Sequence, residues 1–327
     1  FNLRFFRPPP ETDTGKTDLP GVSVLIPARD EEKTIRQAVT SALANPGLKL
    51  EVVVMDEGST DTTAAEVEAL TRKDRRVRLE KAPPLPRGWN GKQHACFRLA
   101  DRARFEILVF MDADVRLRPR ALIRMLGFLK ESGADLVSGF PRQVTVTLME
   151  KLVIPLIDFI LLGFLPLKQM RTSSSPAYAA GCGQLMIARR APYRISGGHE
   201  AIRRSRHDGI ALPRTFRKTG YRTDIFDAGR IASCRMYRSG RDVLEGFAKN
   251  AGEGMGAPAR IVPFTLILGG GQVLPLPWLV LLLAAGAGPA PLFCAAGAVI
   301  FSYLPALIAV SRFRRPALSA LLHPAGV

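Results

Sequence analysis

Two kinds of apolar spacing alternate through residues 20–140. Short β-rich runs, such as Val22–Ile26 and Ile107–Met111, are typical of buried strands. Between them apolar residues recur every three or four positions, as from Ile35 to Leu43, which is typical of an amphipathic helix. The alternation predicts an α/β domain with a mainly parallel, Rossmann-like sheet that has helices on both faces. The predicted strands are Val22–Ile26, Val52–Met55, Val77–Leu79, Ile107–Met111 and Asp135–Ser138, and the predicted helices cover 35–43, 61–72, 89–103 and 119–130.

Polar clusters follow three of the predicted strands. They are Pro27–Glu32, Asp56–Asp61 and Asp112–Asp114. In open sheets of this kind ligands bind outside the carboxyl ends of the strands, so we expect all three clusters on the ligand-binding edge. Side chains at positions i and i+2 leave the same side of an extended backbone. Asp112 and Asp114 therefore suit Mg²⁺ or Mn²⁺, especially an ion shared with substrate phosphates.

The last third of the chain has a different character. Ile261–Gly286 and Pro289–Ser311 contain no charged residue, and each exceeds the ~20 residues needed to cross a bilayer. We predict a transmembrane hairpin, and two buried helices of a soluble protein are the alternative. Arg260 precedes the first segment and Arg312 follows the second, so both ends are expected in the cytoplasm. The α/β domain would then lie on the cytoplasmic side of the cell membrane.

A third apolar segment, Thr145–Leu167, carries Glu150, Lys151 and Asp158. It is interpreted as an amphipathic interfacial helix, with a core helix as the alternative. The expected organisation is a linker at 1–20, the α/β domain at 21–250, the hairpin at 258–312 and the start of a possible further membrane segment at 313–327.

Composition narrows the class of partner. The net charge of +17 and the pI near 10.4 favour an anionic partner. No zinc-finger spacing or RNP-type aromatic motif is present, so nucleic acid is not expected. A phosphate-bearing substrate or an acidic membrane surface fits better. The four cysteines are scattered without CxxC spacing, which favours reduced thiols.

Three motifs together resemble family 2 glycosyltransferases of the GT-A fold. They are VSVLIPARDEEKTI, VVVMDEGSTDTT and FMDADVRL, and the resemblance covers about residues 20–250. It implies a nucleotide-sugar donor and a divalent metal, Mg²⁺ or Mn²⁺, on Asp112 and Asp114. Glu57 stands where the family commonly has a second Asp. The donor-binding residues implied by the resemblance are Pro27, Ala28, Arg29, Glu31, Asp56, Glu57, Asp112 and Ala113.

The family resemblance extends to later motifs. Gly181, Cys182, Gly183 and Gln184 match the small-residue loop that lines the sugar and acceptor pocket, with an ordinary turn as the alternative. Asp208 matches the acid that serves as general base in inverting members, and a helix cap is the alternative. The residue before it is His207, where the family has another acid.

Basic residues complete the implied site. Arg235 and Arg238 resemble the pair that contacts the leaving diphosphate, with solvated arginines as the alternative. Ser239 replaces the Trp of that motif, which argues against a processive polysaccharide synthase. Lys92 begins a predicted helix, where it would contact either a phosphate of the donor or only solvent.

Further stretches, including LPRGWNGKQHACFRLAD, resemble membrane glycosyltransferases that act on isoprenoid lipids, of the carotenoid-acid and hopanoid-associated types. The resemblance implies an inverting enzyme that moves a sugar from a nucleotide sugar, with a uridine diphosphate sugar expected, to a lipid in the membrane. Transfer to a polyprenyl phosphate is a second hypothesis. A non-catalytic membrane binding module on the same fold is a third.

Overall fold

The computed structural model describes residues 2–11, 19–251 and 258–327. Residues 12–18, in the predicted linker, lie outside the described residues. The chain forms two compact units. One comprises Phe1–Gln143 and Pro166–Arg235, and the other comprises Val144–Leu165 and Met236–Val327. The division after Arg235 differs from the predicted domain end at residue 250.

Strands and helices are numbered in chain order. The strands are β1 (Val22–Ala28), β2 (Leu50–Asp56), β3 (Val77–Lys81), β4 (Ile107–Met111), β5 (Val115–Leu117), β6 (Leu136–Phe140), β7 (Arg142–Gln143), β8 (Leu185–Arg189), β9 (Thr223–Asp227) and β10 (Ala232–Cys234). The helices of the first unit are α1 (Ile35–Leu43), α2 (Thr63–Thr71), α3 (Gly91–Arg102), α4 (Ala121–Ser132), α7 (Leu167–Thr172), α8 (Arg190–Ile195) and α9 (Asp208–Lys218). Those of the second unit are α5 (Leu148–Val153), α6 (Pro155–Gly163), α10 (Gly240–Ala251), α11 (Pro258–Leu268), α12 (Pro275–Ala284), α13 (Pro289–Phe313), α14 (Leu318–Leu321) and α15 (His323–Gly326).

The first unit is built on a seven-stranded mixed sheet with the order β3-β2-β1-β4-β8-β6-β9. All neighbouring strands are parallel except β8, which runs antiparallel to both β4 and β6. Every residue of β1, β2 and β4 is buried, as their apolar runs predict. The prediction of a mainly parallel α/β sheet is confirmed.

A second, three-stranded sheet has the order β5-β10-β7. Its strands are only two or three residues long, which is too short to show a periodicity in the sequence. In this sheet β10 is antiparallel to β5, with Cys234 opposite Val115. The small sheet therefore brings Cys234 close to the residues that follow β4.

In the second unit, the segment predicted as one helix over 145–167 is broken. α5 ends before Ile154, and α6 starts at Pro155, whose ring is compatible only with the first turn of a helix. Asp158 on α6 is buried and forms an ion pair of 2.6 Å with the buried Arg315. This segment therefore packs within the unit through a charged contact.

Among the described residues, one helix is long and apolar enough to cross a membrane, α13, and only 22% of its apolar window is buried. Residues Ile261–Val273 and α12 give a second span only if they are counted together, because they meet at a bend of 49°. The bend follows the π-helical stretch Gly269–Val273, where the sequence has three consecutive glycines. The tail after α13 forms the two short helices α14 and α15.

Candidate active site

The ends of four strands meet at one edge of the large sheet. Ala28 at the end of β1 is in register with Asp56 at the end of β2. Because β8 is antiparallel, its beginning lies beside the end of β4, and the Asp112 amide donates to the Gln184 carbonyl at 3.0 Å. The loop before β8 thus reaches the same edge as the polar clusters that follow the parallel strands.

Lys92, in the first turn of α3, connects two of the predicted acids. Its ammonium lies 2.7 Å from Asp112 Oδ1 and 3.0 Å from Asp208 Oδ2, and it donates to the Gly183 carbonyl at 3.3 Å. Asp208 is buried at the start of α9. Two carboxylates that lie 96 residues apart in the sequence therefore contact a single ammonium group.

This acid cluster, defined as Asp112, Asp114 and Asp208, contains three carboxylates, and the Lys92 ammonium contacts two of them. Burial raises the pKa of Asp112, with Asp208 adding to the effect, and the Lys92 ammonium does not fully offset it. Burial and the neighbouring Asp112 raise the pKa of Asp114 to about 7. Burial also acts to raise the pKa of Asp208, but Lys92 outweighs it and holds that pKa below its usual value. The cluster thus has an excess of negative charge.

Asp112 and Asp114 fit a divalent cation. Asp114 Oδ1 is buried and accepts no hydrogen bond from the described residues, while the Cys234 thiol hydrogen-bonds to the same carboxylate. No group of three or more His, Cys, Asp or Glu side chains in the described ranges has the arrangement of a metal site. Two carboxylates nevertheless suffice for Mg²⁺ when phosphate oxygens and water complete the shell.

The glycines around Asp208 allow a very close approach of two backbones. A Cβ on Gly183 would lie 1.8 Å from Asp208 Oδ1, which is far inside contact distance. A Cβ on Gly209 would lie 2.6 Å from the Gly181 carbonyl oxygen. Side chains at these positions would push the loop before β8 away from α9. The small-residue loop is thus required by the position of Asp208.

The other two loop residues are held by a network of polar side chains. The Gln184 side chain accepts a hydrogen bond from Gln143 Nε2 at 2.7 Å and donates to Cys234 Sγ at 3.1 Å. The Cys182 amide donates to Ser138 Oγ at 2.7 Å. Burial raises the pKa of the Cys182 thiol to about 12, so this thiol is protonated at neutral pH. The network fixes the loop in place.

The predicted nucleotide contacts lie at the ends of β1 and β2. Pro27 and Ala28 are buried, whereas the side chain of Arg29 is 68% exposed. Asp56 accepts the Ser59 amide at 3.1 Å, which shapes the turn after β2. Burial raises the pKa of Glu57 to about 7.

Two further predicted residues lie near this group. Glu31 accepts a hydrogen bond from Thr34 Oγ1, and its charge contributes to the raised pKa of Asp114. Ala113 is buried between the two aspartates, and its carbonyl accepts from Arg116 Nη1 at 2.9 Å. Glu31 and Asp56 thus lie on the same edge as the acid cluster.

The two predicted diphosphate contacts fall in different units. Arg235 directly follows β10 and belongs to the first unit, close in sequence to Cys234. Arg238 is exposed and belongs to the second unit. The structure therefore associates Arg235, and not Arg238, with the unit that holds the acid cluster.

Sequence reasoning missed a buried pair, Tyr193 and His199. The Tyr193 hydroxyl accepts the His199 amide at 3.2 Å and lies 2.8 Å from Nδ1 of the same residue. Since the hydroxyl accepts from the amide, its own proton is available to Nδ1, which favours the neutral imidazole with the proton on Nε2. Burial lowers the pKa of His199 to about 3. A single histidine without metal-ligand spacing gave no signal in the sequence.

Comparisons with known proteins identify the family and the fold of the chain. The family described as Glycosyl transferase family 2 matches residues 23–188, half of the chain. Two 4,4'-diaponeurosporenoate glycosyltransferases are similar to this chain. The one from Staphylococcus haemolyticus is 26% identical to it over 251 residues, and the one from Staphylococcus aureus is 26% identical over 255 residues. In both comparisons the match covers 76% of this chain and 65% of the relative, so the chain spans slightly under two thirds of their length.

Among solved structures, a mannosyltransferase from Pyrobaculum calidifontis, determined with GDP-Man and Mn²⁺, has a TM-score of 0.54 at 23% identity. The superposition covers 99% of this chain and 92% of the mannosyltransferase. This likeness supports the GT-A fold of the chain.

Proposed function

Because the chain belongs to glycosyl transferase family 2, we propose that it transfers a sugar from a nucleotide-sugar donor to a lipid acceptor, with inversion at the anomeric carbon. The observation that carries the proposal is the contact of Lys92 with both Asp112 and Asp208. It links the acid assigned to the donor diphosphate with the acid assigned to the acceptor. Donor and acceptor would therefore meet at this ammonium.

The donor would lie along the carboxyl ends of β1, β2 and β4. Asp56, with its turn held by Ser59, is assigned to the nucleoside, together with Arg29 and Glu31. A uridine diphosphate sugar is the proposed donor. Asp112 and Asp114 would hold Mg²⁺ or Mn²⁺, which would offset charge on the departing diphosphate as a Lewis acid. Binding of a divalent ion would also neutralise the excess charge that raises the pKa of Asp114.

Asp208 is the proposed general base. Its lowered pKa keeps it ionised at neutral pH, so it can accept a proton from an acceptor hydroxyl. The contact with Lys92 makes it a weaker base than a free carboxylate. If the lysine turns toward the diphosphate when the donor binds, the basicity of Asp208 rises at the moment it is needed. The lack of a side chain at Gly183 leaves room for the Asp208 carboxylate itself.

The proposed acceptor is an isoprenoid lipid of the carotenoid-acid class. The names of the relatives at 26% identity specify diaponeurosporenoate, which is a carotenoid acid. The exposed apolar helix α13 supports attachment to a membrane, from which such an acceptor would enter. We further propose a multi-pass protein of the cell membrane, with the first unit on the cytoplasmic side.

The test is a transfer assay with the full chain in lipid nanodiscs. Uridine and guanosine diphosphate sugars are supplied with Mn²⁺, and a carotenoid acid, a carotenoid alcohol and undecaprenyl phosphate are the acceptors. The proposal expects a new glycolipid, seen by mass spectrometry, with the carotenoid acid or alcohol. Product with undecaprenyl phosphate alone would replace the acceptor assignment. No product and no nucleotide release with any pair would contradict the enzymatic function.

A further inference from the structure

A basic cleft lies outside the acid cluster, between the 3₁₀ turn Glu200–Ile202 and α9. It has a volume of about 510 Å³, which is the size of a small-molecule site. Arg203, Arg204, Arg214 and Lys218 line it, and Glu200 is its only acid. None of the residues assigned to the donor or to the general base lines this cleft.

The cations approach from two walls. Arg203 and Arg204 lie on the chain that leaves the 3₁₀ turn, whereas Arg214 and Lys218 lie four residues apart on α9 and therefore share one face of the helix. Part of the lining is apolar, including the buried Ile202. The fold thus holds positive charge on both sides of a partly apolar cavity.

The four cations have no anionic partner among the residues that the structure describes. All four side chains are exposed, and none forms an ion pair with another residue of the described part of the chain. Like charges gathered around one cavity repel each other, and an anion bound among them would relieve this repulsion. A surface selected only for solubility would intersperse acids among these residues. The excess of positive charge indicates a bound anion.

The geometry points to a phosphate monoester as the ligand of this cleft. Three guanidinium groups offer planar donor pairs that match phosphate oxygens, and Lys218 adds a point charge. A doubly charged phosphate balances the excess of positive charge better than a carboxylate does. The cavity is larger than a phosphate group, so it leaves room for the alcohol that carries it. A soluble phosphate ester and the headgroup of a phosphatidic acid share this chemistry.

The experiment measures binding by isothermal titration calorimetry with the full chain in neutral detergent. EDTA is present, so that no divalent ion carries phosphate to the acid cluster. The probes are glycerol 3-phosphate, dihexanoylphosphatidic acid and, as a zwitterionic control, dihexanoylphosphatidylcholine. We expect saturable binding of at least one monoester, weakened by added salt, and none of the control.

Two double variants test the location. Arg214→Gln with Lys218→Gln is expected to weaken binding about tenfold or more, since each exposed cation contributes modestly. The control is Lys73→Gln with Arg75→Gln, which removes the same charge from the exposed surface after α2. Its affinity for the monoester is expected to differ from that of the natural chain by less than about twofold. Arg203→Gln with Arg204→Gln removes the two cations of the opposite wall. This variant takes the place of Arg214→Gln with Lys218→Gln if circular dichroism shows that the latter is misfolded.

The binding results distinguish a lipid headgroup, a soluble ester and the absence of a specific site. Tighter binding of the phosphatidic acid identifies a lipid headgroup, and tighter binding of glycerol phosphate identifies a soluble ester; either supports the site. Absence of saturable binding by the natural chain overturns it. Equal weakening by the cleft variants and by the control at 73 and 75 also overturns it, because the attraction would then be a property of the whole basic surface.

Discussion

Charged side chains are buried or partly buried at two places, the acid cluster of the first unit and the Asp158–Arg315 pair of the second. The two places differ in how well negative charge is matched by positive charge. The Arg315 guanidinium lies 2.6 Å from the Asp158 carboxylate, and both side chains are buried. In the acid cluster the Lys92 ammonium contacts both Asp112 and Asp208, while a buried oxygen of Asp114 accepts no hydrogen bond from any residue that the structure describes. In a matched pair each buried charge has its partner within the chain, whereas an unmatched set needs a partner that the chain does not supply.

The largest expected effect is on transfer. Asp208→Asn should lower the rate about 10²–10⁴-fold with a hydroxyl acceptor, because the general base is lost. With a carboxylic-acid acceptor, already ionised at neutral pH, the loss should be smaller. Single-turnover transfer and separate titration of the donor distinguish the steps, since donor binding should be retained. A variant that transfers to the hydroxyl acceptor at the normal rate would remove Asp208 from this role.

The balanced pair should respond differently. Arg315→Met leaves Asp158 buried without its cation and should cost about 3–5 kcal/mol of stability. Adding Asp158→Leu should recover most of that loss, because no unpaired charge then remains. Thermal unfolding in neutral detergent measures both variants. If the double variant is as unstable as the single one, packing rather than charge balance explains the site.

Tyr193→Phe should lower the stability of the first unit by about 1–3 kcal/mol, because the buried His199 amide and imidazole both lose their partner. Tyr221→Phe is the matched control, since the Tyr221 hydroxyl makes no hydrogen bond with the described residues. Chemical unfolding followed by fluorescence gives the difference. Equal small losses in both variants would show that the pair contributes little.

The smallest expected effect is a gain of stability when the acidic side chain of Asp114 is replaced. The pKa of Asp114 is about 7 in the folded chain and 3.8 when unperturbed, so the folded state holds the extra proton between these values and loses stability as the pH rises through them. A shift of this size corresponds to about 4 kcal/mol. Because Asp114 is partly exposed to solvent, we expect Asp114→Asn without metal to stabilise the protein at pH 8 by ~1 kcal/mol, a gain that vanishes below about pH 4. Thermal unfolding in EDTA across this range measures the gain.

Asp74→Asn is the control for that prediction. The hydrogen bonds from Arg76 lower the pKa of Asp74, so its removal should slightly destabilise the protein at pH 8. A gain of stability in both variants would mean that loss of negative charge in general, and not the crowding of carboxylates after β4, is responsible.

The sequence predicted the sheet because β1, β2 and β4 each contain a buried, largely apolar run, and it predicted the acid pair because polar residues follow where those runs end. It missed the small β5-β10-β7 sheet, because strands of two or three residues are too short to show an alternation of apolar and polar positions. It also missed the connection of Lys92 to Asp208. That contact depends on the antiparallel direction of β8 and on the close backbone approach that glycines at 181, 183 and 209 allow. The pairing of strands that are distant in the sequence leaves no local pattern of residues.

The central claim is that Asp112 and Asp114 bind a divalent ion together with the diphosphate of a nucleotide sugar. The most direct measurement is calorimetric titration of uridine diphosphate into the natural chain and into Asp114→Asn, each with Mn²⁺ and with EDTA. The account predicts that affinity falls about tenfold or more both when the metal is withdrawn and when Asp114 is replaced. Equal affinity in all four titrations would contradict it.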